Sequence, residues 1–271
     1  MSLTQQASLA EQEWTFGIIT NGGDLRYVIH SIRELRIPTY EIVIVGNHLQ
    51  NYDVGTDVRQ FPFDESIKTG WITRKKNMIY QEAKYENLAM LHDYIYIHPD
   101  FYTGFLKFGN DWEFCVTQVK NLDGTRYRDY ALFPYYPWWK TLGMECNKFL
   151  LPYWMPNDIR LNRFVYVSGS FYCIKKQTAL RFPLNEQIVW GGEGEDVELC
   201  ARLANEHILI KVNPHSTVQF MKYKVRAFCM DQDHLNVQDL KVLMDALKAL
   251  NDRDPHFFSK DNKLDWMRRD A

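Results

Sequence analysis

The sequence predicts an α/β fold built on a mainly parallel sheet with flanking helices. In the first half, short apolar runs that end in turn residues alternate with segments of helical hydrophobic spacing. Strands connected by crossover helices form parallel sheets. The 271 residues suit one large α/β domain, and a hydrophobic content of 46% can fill its core.

The first strands and helix are predicted before residue 64. The apolar run "TFGIIT" (15–20) ends at the turn signal Asn21-Gly22-Gly23 and predicts a strand. Residues 25–35 have apolar side chains at helical spacing, and Pro38 ends that helix. "EIVIVGN" (41–47) predicts a second, buried strand. "DVRQFPF" (57–63) predicts a third, and Pro62 favours a sheet edge there.

The next pair of elements is a helix over residues 74–86 and a strand over residues 87–97, "NLAMLHDYIYI". Ligands of parallel sheets bind beyond the carboxyl ends of the strands. We therefore expect the strand-end pairs to lie around one crevice. These pairs are Thr20-Asn21, Gly46-Asn47 and His92-Asp93.

The second half of the chain has a different pattern. Residues 112–121 and 126–133 predict strands joined by a turn at Asp123-Gly124. Residues 133–156 are rich in aromatic residues and proline without a clean period, which predicts a long loop or lid. Later segments predict two strands, a helix and a polar tail. They are strands at 163–176 and 207–214, a helix near 235–250 and the tail at 251–271.

Composition and motifs exclude several classes of protein. A net charge of −2 gives no basic field for nucleic acid. Five widely spaced cysteines without CxxC predict reduced core residues rather than disulfides or a zinc site. The sequence has no signal-peptide pattern and no apolar run of membrane-spanning length, so we expect a soluble cytoplasmic protein. GxGxxG, P-loop, HExxH and GxSxG motifs are also absent.

Five segments, taken in order, point to one family. They are "TFGIITNGG", "EIVIVGN", "GWITRKKNMIYQEAKYENLAMLHDYIYIHPDFY", "SGSFYCIKK" and "WGGEGEDVELCARL". Together they resemble the GT-A class of nucleotide-sugar glycosyltransferases, most closely the family-2-like group, over residues 16–215. The resemblance implies a single GT-A, Rossmann-like catalytic domain over residues 1–271. It would comprise a nucleotide-binding half (1–110), an acceptor-binding half with an aromatic loop region (111–225) and a C-terminal helical segment (226–271).

The resemblance implies that the nucleotide sugar binds at the strand ends and at the start of the second helix. The implied residues are Thr20, Asn21, Asn47, Arg74, Lys76, Asn77, His92 and Asp93. A basic run at a helix start is unfavourable next to the positive end of the helix macrodipole, and a bound diphosphate would remove this conflict. The alternative is that these residues form a solvated basic face.

The metal site is also inferred from the resemblance. The two-carboxylate metal motif of the family corresponds here to His92-Asp93-Tyr94, with one carboxylate. Asp93 is therefore the predicted ligand of Mn²⁺ or Mg²⁺. The family often takes another ligand from a histidine past the following strand, which implies His215. Its imidazole would favour Mn²⁺.

The acidic cluster in "WGGEGEDVELCARL" has two interpretations. Carboxylates in the first turn of a helix are favourable by about 0.3–1 kcal/mol each, with no function required. The resemblance instead assigns Asp196 as the base that takes the proton of the acceptor hydroxyl, with Glu195 orienting the acceptor. We favour the functional interpretation for Asp196.

Acceptor binding is predicted from aromatic residues and glycines in the second half. The implied residues are Trp138, Trp139, Gly169, Trp190, Gly191 and Gly192. Tryptophans are often core residues, but several in one proline-rich loop favour a platform on which sugar rings stack.

The predicted function is the inverting, metal-assisted transfer of a hexose or pentose from a nucleotide-diphosphate donor, a UDP-sugar, to a hydroxyl. The acceptor is left open between a glycan, a lipid-linked sugar, a protein and a modified nucleobase. Two alternatives are a sugar-phosphate nucleotidyltransferase and a non-catalytic carbohydrate-binding protein. The first normally has a glycine-rich basic loop that "TNGGDLRYV" matches poorly, and the second would not explain Asp93 and Asp196.

Overall fold

The computed structural model describes residues 11–47, 49, 55–132, 149–153, 162, 165–189, 194–222 and 245. Apart from Asp245, the predicted helix near 235–250 lies outside these ranges. So do most of the aromatic loop and the site residues Trp138, Trp139, Trp190, Gly191 and Gly192. No helix within these ranges is both long and apolar enough to cross a bilayer.

The described residues form eleven strands and five helices. The strands are β1 (Trp14–Thr20), β2 (Tyr40–Gly46), β3 (Val58–Pro62), β4 (Asn87–His92), β5 (Ile95–Ile97), β6 (Phe114–Lys120), β7 (Tyr130–Leu132), β8 (Phe149–Leu150), β9 (Val165–Val167), β10 (Phe171–Lys175) and β11 (Ile210–Phe220). The helices are α1 (Arg26–Glu34), α2 (Ile72–Glu82), α3 (Asp100–Phe108), α4 (Lys176–Arg181) and α5 (Glu195–Asn205).

The main sheet has the strand order β3-β2-β1-β4-β10-β6-β11-β5. Its first four strands are parallel neighbours, and Thr20 pairs with Gly46 while Ile19 pairs with His92. The register therefore brings the carboxyl ends of β1, β2 and β4 to one edge, as predicted. β1 is buried along its whole length, which is typical of a parallel strand covered on both faces.

The other half of the main sheet is mixed. β10 runs antiparallel to both β4 and β6, whereas β6 and β11 are parallel and β5 is antiparallel to β11. A second, antiparallel sheet has the order β8-β7-β9. The prediction of an α/β fold is confirmed, and the sheet is parallel mainly in its first half.

Three predicted strands have different bounds in the structure. Residues 87–97 form two strands, β4 and β5, which lie at distant positions in the sheet. Residues 163–176 are likewise divided between β9 and β10, which belong to different sheets. The strand predicted at 207–214 continues to Phe220, with an irregular register between Asn213 and Thr217. The physical reason is that only two or three polar or small residues, His92-Asp93 and Ser168-Gly169-Ser170, separate the apolar runs, so each pair of strands resembles one strand in the sequence.

The predicted hairpin around Asp123-Gly124 is also only partly formed. Its two arms meet in an isolated bridge between Lys120 and Arg126. β6 and β7 then diverge into different sheets.

The core is aromatic beneath the sheet and close-packed against α3. Trp14 contacts Phe105 and Phe101 edge to face, with ring centroids 4.6 and 5.3 Å apart. Gly104 of α3 lies so close to β11 that a Cβ there would be 2.3 Å from the His215 carbonyl oxygen. Since a backbone atom cannot move aside cheaply, this glycine sets the distance between helix and sheet.

Candidate active site

Thr20, at the end of β1, holds Asp93 in place. Its hydroxyl donates to Asp93 Oδ2 at 2.8 Å and accepts the backbone N–H groups of Gly22 and Gly23 at 3.1 and 3.2 Å. These three bonds use the whole hydrogen-bonding capacity of the hydroxyl. Thr20 therefore positions Asp93 and the turn after β1.

Lys75 is fully buried beneath the same turn. Its ammonium donates to the Thr20 carbonyl oxygen at 2.8 Å and to Asn21 Oδ1, and it forms an ion pair with Glu65. A buried ammonium needs such partners, and three acceptors match its three N–H groups. The sequence did not single out Lys75, yet Lys75 fixes Asn21 at the mouth of the crevice.

Lys76, the next residue of α2, reaches the acidic helix instead of the donor edge. Its Nζ lies 2.9 Å from the Gly169 carbonyl oxygen and 3.2 Å from Glu195 Oε1. The ammonium also lies 5.4 Å from the centroid of the Tyr172 ring. The structure therefore joins Lys76 to Glu195 and to the turn between β9 and β10.

Arg74 and Asn77 contact the segment that leads to the Trp-Gly-Gly motif. Asn77 Nδ2 donates to the Leu184 carbonyl oxygen and to Glu186 Oε1, both at 2.9 Å, and its Oδ1 accepts the Leu184 N–H at 2.8 Å. Arg74 forms an ion pair with Glu186 at 3.0 Å. Both side chains, predicted to bind the donor, hold the segment that precedes Trp190.

Asp196 lies in the first turn of α5 and receives three hydrogen bonds. Its Oδ2 accepts the Gly169 N–H at 2.8 Å and the Tyr166 hydroxyl at 3.0 Å, and its Oδ1 accepts the Val197 N–H at 2.9 Å. A carboxylate offers about four lone-pair positions. As far as the described residues are concerned, one position on Oδ1 is therefore left for a further donor.

Gly169 is the close-approach point between β9–β10 and α5. A Cβ at this position would lie 2.5 Å from Glu195 Oε1 and 3.1 Å from Asp196 Cβ. Only glycine allows both carboxylates to approach this turn. Gly169 was predicted as an acceptor-side residue, and the structure brings it into direct contact with Asp196.

Glu195 is held in a low-dielectric position beside Lys76. Burial raises the pKa of the Glu195 carboxyl above its usual range, the Lys76 ammonium opposes that shift, and the charge of Asp196 adds to it. Glu198, in contrast, faces Arg202, with N–O distances of 2.7 and 2.9 Å. The three acidic residues in the first turn of α5, Glu195, Asp196 and Glu198, therefore have different environments.

Three tyrosines and one arginine surround the space next to these carboxylates. Tyr94 donates to Ser170 Oγ at 3.3 Å, and its ring packs on Phe220. Tyr127 packs on the other side of Phe220, with centroids 4.5 Å apart. Tyr166 and Arg128 complete the group. Burial, followed by the charge of Asp196, raises the pKa of the Tyr166 hydroxyl well above its usual range, so it stays a hydrogen-bond donor.

These residues were missed at the level of sequence. Tyr94 follows Asp93 directly, and Tyr127 and Arg128 lie in "RYRDY", so the available signal was a cluster of polar aromatic residues at strand ends.

The turn at Gly169-Ser170 connects the two carboxylate sites. Gly169 donates to Asp196, and the Ser170 carbonyl oxygen accepts the His92 N–H at 3.2 Å.

The remaining predicted donor residues have simpler positions. His92 ends β4, is half-buried, and has its ring 5.3 Å from that of Tyr94. Asn47 directly follows β2 at the same sheet edge and is half-buried.

His215 is not brought to Asp93. In the pairing of β11 with β5, Phe220 is opposite Ile95, which lies two residues after Asp93. His215 precedes Phe220 by five residues and lies in the register irregularity between Asn213 and Thr217. The Met221 N–H donates to the Tyr94 carbonyl oxygen at 2.8 Å, so the part of β11 near Asp93 is its end. His215 was expected in a loop and instead lies within a strand that packs on α3.

The described residues supply one carboxylate for a metal ion. Within the described ranges, no group of three or more His, Cys, Asp or Glu side chains could hold a metal by itself. Asp93 is half-buried at the strand edge, and Thr20 occupies part of its Oδ2. This donor set fits a hard cation bound through one carboxylate together with phosphate oxygens of a substrate. Without His215, the reason to prefer Mn²⁺ over Mg²⁺ is lost.

Comparisons of the sequence with models of protein families and with curated proteins give no match. The structure, however, is similar to the crystal structure of GalNAc-T7 with UDP, GalNAc and Mn²⁺, at a TM-score of 0.54 and 13% identity. The match covers 91% of this chain and 50% of that one, so the chain spans about half the length of GalNAc-T7 in that crystal.

A second similar structure is that of S. aureus TarS 1–349, at a TM-score of 0.49 and 12% identity, covering 92% of this chain and 73% of that one. The GalNAc-T7 structure, with the higher TM-score, is that of a GT-A glycosyltransferase. The fold predicted from the sequence motifs is therefore confirmed: this chain has the GT-A fold of the nucleotide-sugar glycosyltransferases.

Proposed function

We propose that the protein transfers a sugar from a nucleoside-diphosphate donor to a hydroxyl acceptor. One observation carries the proposal: the Gly169-Ser170 turn joins two carboxylate sites of different character. Gly169 donates to Asp196 on α5, and Ser170 accepts from His92, the residue before Asp93. Burial raises the pKa of the Tyr94 hydroxyl, and the charges of Asp93 and Glu195 both add to this rise, so Tyr94 lies within electrostatic reach of both sites.

The donor would lie over the carboxyl ends of β1, β2 and β4. Asn21 and Asn47 are at the first two strand ends and offer amide groups to a base and ribose. Asp93, held by Thr20, would bind the divalent cation, and that cation would neutralise the charge of the diphosphate leaving group. The GalNAc-T7 crystal, which contains UDP and Mn²⁺, supports this class of donor and cation.

The acceptor hydroxyl would hydrogen-bond to the remaining lone pair of Asp196 Oδ1. Asp196 would take the hydroxyl proton as the acceptor oxygen attacks the anomeric carbon and the bond to the diphosphate breaks. Attack opposite the leaving group inverts the configuration at that carbon. The Gly169 N–H and the Tyr166 hydroxyl keep the carboxylate oriented during the step.

Several parts of the chain would support these two sites. Lys76 and Glu195 would position Asp196 by holding the Gly169 peptide from its carbonyl side. Arg74 and Asn77 would set the path of the segment before Trp190. Trp138, Trp139 and the Trp190-Gly191-Gly192 motif, outside the described residues, remain our proposal for the surface that stacks on the acceptor.

A donor panel tests this proposal. Thermal shift and calorimetric titration with UDP, GDP, CMP and a set of UDP-sugars, each with Mn²⁺, Mg²⁺ or EDTA, should reveal one nucleoside diphosphate that stabilises the protein. Bound ligand at 100 times its Kd stabilises a fold by about 2.7 kcal/mol, which is easily measured. Turnover should release the nucleotide from its sugar. Absence of binding by every nucleotide and nucleotide sugar would contradict the proposed function.

A further inference from the structure

Arg128 lies beside the candidate base, between β6 and β7. It is half-buried, and its Nε donates to the Tyr127 hydroxyl at 2.7 Å. The guanidinium carbon lies 5.3 Å from the centroid of the Tyr127 ring and 6.0 Å from that of Tyr166. Tyr166 in turn donates to Asp196. One tyrosine ring therefore separates the guanidinium from the base.

Within the described part of the chain, most of the hydrogen-bonding capacity of this guanidinium is unused. Arginine has five N–H donors, and Nε is the donor of Arg128 that bonds within the described part of the chain. No carboxylate of the described residues lies within 4.0 Å of it as an ion pair, although the Asp196 charge acts on it from farther away. With respect to the described residues, its two terminal NH₂ groups are available for a planar anion.

Arg126, two residues earlier, gives the contrast. Its Nε and Nη2 donate to Asp129 Oδ1 at 2.9 and 2.7 Å, and Nη2 also donates to the Leu151 carbonyl oxygen at 2.8 Å. This arginine is used entirely in the connection between the sheets. Arg128 is half-buried like Arg126, but among the described residues it lacks such carboxylate and carbonyl partners. Packing between the sheets therefore does not explain why an arginine is present at residue 128.

The charge of the surroundings indicates what Arg128 is for. Asp196 lies next to Arg128 through the Tyr166 hydroxyl, and its charge would repel a negatively charged acceptor. A neutral acceptor would need no cation at this point. An anionic acceptor would need one, positioned near the base yet not paired with it.

We propose that Arg128 binds a carboxylate or phosphate of the acceptor, so that the acceptor is a negatively charged hydroxyl compound. This inference rests on the proposed glycosyl transfer and specifies its substrate class. The planar fork of the guanidinium matches either anion in a bidentate manner, and the Tyr127 and Tyr166 rings fix its plane.

Three matched sugars test the inference: methyl glucoside, methyl glucuronide and methyl glucoside 6-phosphate, which differ only at C6. Binding to the wild-type protein, saturated with UDP, is measured by calorimetry. We expect at least one anionic sugar to bind about 10- to 100-fold more tightly than the neutral one, the usual contribution of a charge-assisted bidentate contact. The stronger of the two anionic sugars distinguishes a carboxylate from a phosphate.

Variants then locate the effect. Arg128→Gln should remove the preference for the anionic sugar and leave the affinities for UDP and methyl glucoside unchanged. Arg128→Lys should keep part of a phosphate preference, since lysine acts as a point charge, but lose most of a carboxylate preference. Arg181→Gln, which removes an exposed arginine on α4, is the control for net charge.

Two outcomes would overturn the inference while the proposed function stands: no preference for either anionic sugar in the wild type, or an equal loss for neutral and anionic sugars in Arg128→Gln. The second outcome would mean that Arg128 acts through Asp196. Reduced UDP affinity in Arg128→Gln would assign it to the donor and also overturn the inference. Failure of the proposed function is detected separately, as a lack of UDP binding and of UDP-sugar turnover in the same wild-type samples.

Discussion

Gly169→Ala is the substitution whose effect follows most directly from the geometry of the site. A methyl group at residue 169 would lie 2.5 Å from Glu195 Oε1, and ordinary contact begins at 3.4 Å, so the carboxylate would have to move by about 0.9 Å. The end of a glutamate side chain can usually move, but this one is held by Lys76 at 3.2 Å. The turn itself is held on its other side by Asp196.

The expected cost appears in both stability and activity. Overpacking of a buried position typically costs about 1–3 kcal/mol of unfolding free energy. A misplacement of about 1 Å that passes from Gly169 and Glu195 to Asp196 can lower the rate roughly 10²-fold. Urea denaturation measures the first quantity, and nucleotide release from the UDP-sugar donor measures the second.

A double variant separates this contact from a general effect of alanine. Glu195→Ala removes the atom that the new methyl group would strike, so Gly169→Ala should be less destabilising in the Glu195→Ala background. The reasoning would be refuted if Gly169→Ala kept wild-type stability and turnover. It would also be refuted if the two substitutions were additive in stability.

Three further predictions follow from the donor side and the loops. Asp93→Ala should abolish the EDTA-sensitive part of nucleotide binding in calorimetry, whereas His215→Ala should leave it intact; equal effects would restore His215 as a ligand. Asn77→Ala should lower the unfolding free energy by about 2–6 kcal/mol, because the N–H and C=O of Leu184 lose their partner at about 1–3 kcal/mol each; a selective loss of nucleotide affinity in a stable variant would instead make Asn77 a donor ligand. Trp138→Ala should weaken sugar transfer while preserving nucleotide binding, and a large loss of folding would show that this ring is a core residue.

The strand ends of the first half could be predicted from the sequence because two independent patterns agree there. Apolar runs identify β1, β2 and β4, and parallel topology then requires Thr20, Gly46 and His92 to share an edge. The hydrophobic pattern could not reveal that the run after His92 turns away at Asp93. That turn is a matter of tertiary pairing, since Ile95–Ile97 joins β11 at the far side of the sheet.

The basic run of α2 illustrates what a linear pattern cannot give. Adjacent helical residues project about 100° apart. Lys75 therefore reaches the turn after β1, whereas Lys76 reaches Gly169 and Glu195. The sequence indicated that this basic run faces one anion. In the structure, Lys75 and Lys76 instead form ion pairs with two different glutamates, Glu65 and Glu195.

His215 was misplaced for a related reason. A proline next to it suggested that the strand had ended, but β11 accommodates Pro214 at an irregularity and continues to Phe220. The same irregularity lets β11 follow α3. The sequence alone would place His215 in a loop near the site. In the structure it lies well before Phe220, the end of β11 that approaches Asp93.

The structure also changes what is expected of Asp196→Asn. Both carboxylate oxygens accept backbone N–H groups, from Gly169 and from Val197. An asparagine has one acceptor oxygen, so its amide would face one of these N–H groups. The cost is then about 1–3 kcal/mol, more than the helix-dipole contribution of about 0.3–1 kcal/mol. Glu198→Gln would be a poor control because Glu198 is buried in an ion pair with Arg202. Glu206→Gln, just after α5, is the better control because its ion pair with Arg181 is longer and exposed.

The central claim is that Asp196 is the base of a glycosyl transfer, and one measurement tests it most directly. Acceptor-dependent nucleotide release from the preferred UDP-sugar is compared between wild type, Asp196→Asn and Glu206→Gln, at saturating donor and at a temperature where all three are folded. We predict a fall on the order of 10²–10⁴-fold for Asp196→Asn with unchanged UDP affinity, the usual contribution of a positioned general base, and wild-type turnover for Glu206→Gln. Turnover by Asp196→Asn close to that of the wild type would contradict the claim.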